Sequence, residues 1–354
     1  MSAFLRLGPV VFAMALASVA LAMLLGGTRG AEPADGSADS PAGRLFFYGY
    51  PKSDHGAVNG TFLYSMDLPD GGLHRERLRT LGIGDPIDFI DFTGGRLVYF
   101  GTGGRTYSID PQLSSKPRSL GRSFYFVASG TEGRVWLQRR PGDRTKNSTA
   151  VDEVGVRNGR IFTRGGLTRP PCPGPTVVAA VRGALLCQTD GPMVATDPSS
   201  DEILMRVPDF PLATGGDLVA ACGEPCPRLV VASPSAGEKI RLEPRSSFRW
   251  AAGYDGDFSP DLSTVAVPVK PAGAAPRSRV RELALVNLQY GSTHLPPEGE
   301  MGIESGPTFS ASGELVYYVA RNGAVMAQRA DSPDSPPTEV GSASRINVLD
   351  LAAG

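Results

Sequence analysis

From residue 44 onward, the hydrophobic residues fall in short runs separated by turn-forming residues. The runs are four to eight residues long, rich in Val, Leu, Phe and Tyr, and bounded by Gly, Pro, Asp or Ser, as is typical of β-strands. Clear examples are Arg44–Tyr50, Arg96–Gly101, Ala184–Cys187, Asp217–Cys222, Arg228–Ser233, Thr264–Lys270 and Glu314–Ala320. After the N-terminal segment, no stretch of ten or more residues shows helical periodicity, so the pattern predicts an all-β chain.

The predicted strands recur in units of about 40 residues, a period typical of propellers and solenoids. The strands of a sandwich would alternate apolar and polar residues, whereas propeller blades pack on both faces and carry continuous apolar runs. LVYF, LVAAC, LVVA and LVYYVA are continuous, which favours a β-propeller. Seven blades are predicted, with six or eight as alternatives, at residues 44–82, 85–122, 123–165, 174–210, 211–248, 250–299 and 303–341.

The two ends of the repeat region complement each other. The first unit lacks an innermost strand before Arg44–Tyr50, and one strand, Arg345–Leu351, is left over at the C-terminus. Pairing the two would close the ring and remove the exposed sheet edges that an open ring would leave. Residues 44–354 are therefore predicted to be a single propeller domain, closed by residues 345–351.

Two units carry a motif that resembles a known repeat family. Asp257-Phe258-Ser259-Pro260-Asp261, after Gly253, and Gly306–Gly313 (GPTFSASG) resemble the G-x-P-x-[WF]-S-P-D-G motif of TolB-like/WD40-like propeller repeats. Neither copy is complete, because Leu262 replaces the final Gly and Ala311-Ser312 replace Pro-Asp. The resemblance implies an aromatic residue that packs the blade and a tight hairpin after it. It implies no activity, since propellers serve many functions.

Composition and charge agree with a turn-rich globular chain. Among 354 residues there are 44 glycines and 31 prolines, fewer than in low-complexity disorder but enough for several tight turns in each of seven units. Lys and Arg number 35 against 36 Asp and Glu, for a net charge of −1. This balance argues against a nucleic-acid partner.

The N-terminus reads as an export signal. Arg6 precedes an apolar run from Leu7 to Leu25, followed by small residues, so residues 1–30 are predicted to be a signal peptide or an uncleaved signal-anchor. Residues 31–43 contain no large apolar side chain and are predicted to be a disordered linker. The chain is thus expected outside the cytoplasm (extracellular, periplasmic or cell-surface), with membrane contact only through residues 7–25 if the signal is retained.

Four cysteines, Cys172, Cys187, Cys222 and Cys226, lie in the middle third of the chain. In an exported protein an even number favours disulfides. Cys222 and Cys226 flank a short turn between two predicted strands, and Cys172 could reach Cys187 on the strand that follows it. Three connectivities are possible, and this local one is preferred; a four-thiolate zinc site is the alternative.

The sequence contains no catalytic motif of a common kind. It has neither a G-x-S-x-G elbow nor an H-E-x-x-H pair, and its three histidines, His55, His74 and His294, lie in polar segments predicted to be exposed loops. No catalytic residue, metal or cofactor is therefore predicted.

Acidic residues near predicted innermost strands are the remaining candidates for a site. Innermost strands border the central channel of a propeller, where ligands often bind. The residues concerned are Asp85, Asp88 and Asp91 in one unit and Asp255, Asp257 and Asp261 in another. Asp88, Asp91 and Asp257 are taken as ligand-binding candidates. Paired carboxylates would also suit a glycosidase, provided that they converge.

These observations support three hypotheses. The first is an exported, non-catalytic propeller that recognises a protein, peptide or cell-wall ligand through its loop face. The second is a hydrolase or lyase with acidic residues in the central channel, and the third is a membrane-tethered sensor ectodomain. The one basic run, Arg139, Arg140, Arg144 and Lys146, is either a site for an anionic surface or polysaccharide or a solvated loop.

Overall fold

The computed structural model describes most of the predicted propeller. Its described residues are 43–52, 61–69, 71–79, 90–101, 104–123, 125–139, 148–168, 177–187, 192–200, 202–208, 210–223, 226–244, 247–251, 256–274, 281–296 and 302–354. The predicted signal at residues 1–30, and the linker up to residue 42, lie outside them. Within the described ranges, no helix is long and apolar enough to cross a membrane.

The described strands form seven antiparallel sheets, which confirms the seven-bladed propeller. Blade 1 contains β1 (Gly43–Pro51), β2 (Phe62–Leu68) and β3 (His74–Arg79). Blade 2 contains β4 (Ile90–Thr93), β5 (Arg96–Gly101), β6 (Arg105–Ile109) and β7 (Arg118–Arg122). Blade 3 contains β8 (Tyr125–Ala128), β9 (Arg134–Gln138), β10 (Ser148–Gly155) and β11 (Ile161–Thr168). Blades 4 and 5 contain β12 (Val177–Val181), β13 (Ala184–Cys187), β14 (Met193–Thr196) and β15 (Ile203–Val207); and β16 (Phe210–Gly215), β17 (Leu218–Cys222), β18 (Leu229–Ser233) and β19 (Gly237–Leu242). Blades 6 and 7 contain β20 (Phe248–Trp250), β21 (Asp257–Phe258), β22 (Thr264–Pro271), β23 (Glu282–Asn287) and β24 (Ser292–His294); and β25 (Ile303–Phe309), β26 (Leu315–Ala320), β27 (Ala324–Arg329) and β28 (Thr338–Ser342).

The C-terminal strand β29 (Ile346–Ala353) supplies the innermost strand of blade 1, in the order β29-β1-β2-β3. It runs antiparallel to β1, with Leu45 opposite Ala353 and Pro51 opposite Ile346. A bulge between Tyr48 and Gly49 shifts the register partway along. The first and last strands of the described region therefore pair within one sheet.

The core of the ring lies at the seams between blades. In the described part of the chain, the buried apolar side chains divide into seven clusters, each combining residues of two adjacent blades. Every blade thus buries both faces, which explains the continuous apolar runs. These runs are the second strands β5, β17 and β26 and the third strand β18, rather than innermost strands.

The motif in blade 6 forms the tight turn that its resemblance implies. The Ser259 backbone N–H donates to the Thr264 carbonyl at 2.9 Å, and the Ser259 hydroxyl donates to Asp261 at 2.6 Å. Phe258 is buried between blades 5 and 6. Leu262, where the motif has Gly, still takes the left-handed conformation at φ 59°, and it packs on the same core cluster.

Candidate functional site

Two of the predicted ligand-binding residues lie on innermost strands of blades that are not neighbours. Asp91 is on β4 of blade 2, and Asp257 is on β21 of blade 6. The negative charge of Asp91 contributes to the raised pKa of Asp257, so the two carboxylates lie within electrostatic reach of each other. Asp88, the third predicted residue, lies outside the described residues.

Asp257 has a structural role at a blade seam. Its carboxylate accepts a hydrogen bond from the Phe309 backbone N–H of blade 7 at 2.9 Å. Asp350 on β29 makes the same kind of link at the seam between blades 1 and 2, where its carboxylate accepts a hydrogen bond from the Ile90 backbone N–H at 3.1 Å. An innermost carboxylate thus links one blade to the next at both places. Asp350 was not among the sequence-predicted residues, although its place in the closing strand could have suggested it.

Asp91 does not have such a partner. Its Oδ2 atom is buried and accepts no hydrogen bond within the described part of the chain. Desolvation raises the pKa of Asp91 to about 6. Desolvation also raises the pKa of Asp257 to about 6; the hydrogen bond from Phe309 lowers this pKa, and the charge of Asp91 raises it. Both carboxyl groups therefore titrate in the pH range that is useful for general acid–base catalysis, which a channel enzyme would need.

No metal centre accompanies these carboxylates among the described residues, where no group of three or more His, Cys, Asp or Glu side chains could hold an ion. Asp261 lies in the turn after β21, where it accepts hydrogen bonds from Ser259 and Ser263, and these hold its pKa below the usual range. Asp85 and Asp255 lie outside the described residues.

A second candidate site was missed by the sequence analysis and lies at the seam of blades 2 and 3. We call it the arginine cavity; its volume is about 340 Å³. It is lined by Gly94, Glu132, Gly133, Arg134, Gly155, Arg157, Asn158 and Phe162. These residues lie in the turns β4–β5, β8–β9 and β10–β11 and at the strand ends beside them. These turns are on one face of the ring, opposite the loops that join second and third strands.

Phe162 forms the apolar wall of the arginine cavity and is 42% exposed. The guanidinium of Arg134 lies 3.8 Å from the ring centroid, and that of Arg160 lies 5.5 Å from it. Arg134 also pairs with Glu153 at 3.2 Å, and Thr163 donates to the same carboxylate oxygen at 3.2 Å. Cation–π contacts and this ion pair therefore hold the first arginine in place.

Arg157 is fixed on the opposite side of the cavity. Its Nε and Nη2 atoms donate to the Gly94 carbonyl at 3.2 and 3.1 Å, across the blade seam. Close backbone approach makes this possible, because a Cβ at Gly94 would lie 2.5 Å from the Gly133 Cα, and Gly94 has φ +59°. Glycine at position 94 is thus required by both space and conformation.

Of the basic run that the sequence suggested as an anionic-ligand site, Arg139 alone is described, and it is not part of the arginine cavity's lining. Arg139 forms an ion pair with the buried Asp152. Arg140, Arg144 and Lys146 lie outside the described residues. The arginine cavity could not be predicted from the sequence, because its residues come from three separate segments and each segment by itself predicts only a turn.

The cysteines and histidines were also placed by the structure. The predicted Cys222–Cys226 disulfide is present, with Cα atoms 4.9 Å apart. Cys187 is disulfide-bonded too, while its expected partner Cys172 lies outside the described residues, so that pairing stays a prediction. His74 begins strand β3 and His294 ends strand β24, so neither lies in a loop as predicted, and His55 lies outside the described residues. The His294 Nδ1 is 3.4 Å from the exposed Asp334.

Comparisons with known proteins find only distant structural similarity. No family model and no curated protein matches the sequence. Among solved structures, the chain is similar to hydrazine synthase of Kuenenia stuttgartiensis, at 12% identity and a TM-score of 0.46 over 73% of this chain and 80% of that one. It is also similar to BamB from Moraxella catarrhalis, at 12% identity and a TM-score of 0.41 over 72% of this chain and 77% of that one. Neither likeness carries an argument about function.

Proposed function

We propose that the chain is an exported, non-catalytic β-propeller that recognises a protein, peptide or cell-wall ligand. The observation that carries the proposal is the arginine cavity, where guanidinium groups and an exposed phenylalanine converge on a rigid blade seam. Arginine and aromatic residues are the side chains most enriched at binding hot spots. The loop face, which the sequence favours as the recognition surface, lies largely outside the described residues.

The inner carboxylates support a non-catalytic function. Asp257 and Asp350 each accept a backbone hydrogen bond from another blade, which fixes their positions for a structural reason. A hydrolase in the channel is the second candidate, because Asp91 and Asp257 lie on innermost strands within electrostatic reach of each other and each has a pKa of about 6. A membrane-tethered sensor would use the same propeller with residues 7–25 retained.

Two further features support the proposal's finer points. Disulfides persist in oxidising compartments, so the Cys222–Cys226 bridge supports export. The tight turn at Ser259–Thr264 supports membership of the TolB-like/WD40-like repeat family.

Ligand retention and turnover can be measured together to test this function. The full chain is immobilised and incubated with extracellular peptides, proteins and glycans, and both the retained species and any new products are identified by mass spectrometry. We expect a retained ligand, no product, and unchanged retention by an Asp91→Asn variant. A product that disappears with Asp91→Asn would establish the channel enzyme instead.

A further inference from the structure

We propose that the arginine cavity binds an acidic side chain of a peptide, together with an apolar residue next to it. This inference deepens the proposed binding function and rests on it. It assigns the ligand chemistry from the charges, the exposed ring and the size of the cavity.

The charge of the cavity favours a carboxylate. Arg134 and Arg157 line the cavity. Two further arginines lie beside the lining: Arg160 lies near the Phe162 ring, and Arg118 donates through Nη1 to the Asn158 carbonyl at 3.3 Å. Against these four guanidinium groups stand Glu153, which is already paired with Arg134, and Glu132. Arg157 uses Nε and Nη2 on the Gly94 carbonyl and keeps further N–H donors for a ligand. Guanidinium groups bind carboxylates with particular strength because two N–H donors match two oxygens.

The exposed ring of Phe162 favours a peptide over a sugar chain. A sugar ring stacks on the open face of an aromatic side chain, whereas Arg134 already covers this ring at 3.8 Å. The remaining exposed surface, 42% of the residue, suits contact with an apolar side chain. A peptide with an acidic residue next to an apolar residue would contact the arginines with the first and the Phe162 ring with the second.

The size and the lining of the cavity favour a single acidic group. A volume of about 340 Å³ is near the lower end for ligand sites, which suits one or two side chains rather than an extended polymer. Glu132 on the lining would repel a dense polyanion. The cavity should therefore discriminate against polyuronates and anionic membranes.

Selection from a random octapeptide library displayed on phage tests this assignment with the full chain. The test variant is Arg160→Glu, which changes an exposed residue whose described side-chain contact is with Phe162 alone. The control is Arg345→Glu, an exposed arginine in the loop before β29, on the other face of the ring. We expect wild type and control to enrich peptides with Asp or Glu beside an apolar residue. Binding of the enriched peptides to Arg160→Glu, measured by fluorescence polarisation, should weaken about tenfold or more.

Several outcomes would overturn the assignment. In the selection, these are enriched peptides without an acidic residue, or no enrichment at all. In the binding assay, they are equal binding by Arg160→Glu, or unchanged affinity when the acidic residue of the peptide is replaced by its amide. Tighter binding of polygalacturonate or of phosphatidylglycerol vesicles than of the peptides would also overturn it. If the immobilised chain retains a ligand that Arg160→Glu also retains, the cavity assignment fails while the binding function stands. Turnover of a retained ligand would contradict the binding function itself.

Discussion

Deletion of residues 346–354 is expected to abolish folding of the propeller to a soluble monomer. Strand β29 buries Ile346, Val348 and Leu351 at the seam between blades 7 and 1. Burial of three such side chains stabilises the fold by roughly 5–9 kcal/mol. That is comparable with the whole stability of a typical domain, about 5–15 kcal/mol. The deletion would also expose the edge of β1, which carries a run of fully buried residues from Leu45 to Tyr48 and would promote aggregation.

A rearranged chain provides the matched control. Arg44 and Gly354 exchange two backbone hydrogen bonds, each 2.9 Å long, so a two-residue turn can join them as a hairpin. Residues 345–354 are placed after residue 42 and joined through an inserted Asn-Gly turn to residues 44–344. Size-exclusion chromatography and circular dichroism should show a folded monomer for this permutant and for wild type but not for the deletion. A folded, monomeric deletion variant would show that β29 is dispensable.

The Asp91→Asn variant is expected to be more stable than wild type at pH 7.5, and more stable by a smaller margin at pH 4.5. Burial raises the pKa of Asp91 from 3.8 to about 6 in the folded chain. Between pH 3.8 and about pH 6 the native state binds more protons than the unfolded state, so wild-type stability falls as the pH rises through this range. Removal of the charge should recover about 1–3 kcal/mol at pH 7.5, and it also relieves repulsion of Asp257.

Asp261→Asn is a control of opposite sign, since hydrogen bonds from Ser259 and Ser263 lower the pKa of Asp261. This group stabilises the fold above its unfolded pKa, and the effect is lost as the pH falls. Urea unfolding of the three chains at both pH values should therefore give a gain for Asp91→Asn, and a loss or no change for Asp261→Asn, at pH 7.5. If Asp91→Asn destabilises the chain at pH 7.5, the Asp91 carboxylate is stabilised by more than its hydrogen bond from the Phe92 N–H and is not an uncompensated buried charge.

The architecture could be predicted from the sequence because each of its features is local or repeated. Turn residues divide the chain into units of about 40 residues, and the missing inner strand of the first unit matches the surplus strand at the end. The bulge at Tyr48 and Gly49 could not be predicted, since it depends on how β29 packs against blade 7 as well as on its pairing with β1.

The sites were harder to predict because they depend on contacts between blades. Asp91 and Asp257 are separated by 166 positions along the chain, and their mutual repulsion exists only in the closed ring. The two residues also have different roles because of the neighbouring blades. The Phe309 N–H of blade 7 donates a hydrogen bond to Asp257, whereas Asp91 Oδ2 has no donor in the described structure. The arginine cavity likewise needs Gly94 of one blade against Arg157 of the next.

Photo-crosslinking from the wall of the arginine cavity tests the central claim, recognition of a ligand by this face, most directly. The reactive group is introduced into the full chain as Phe162→p-benzoylphenylalanine. A matched control is Tyr290→p-benzoylphenylalanine, at a residue 76% exposed in the β23–β24 turn, which the topology places on the same face of the ring. We predict an adduct at position 162 whose crosslinked segment contains an acidic residue, and none at position 290. No adduct at position 162, or the same adducts at both positions, would contradict the account.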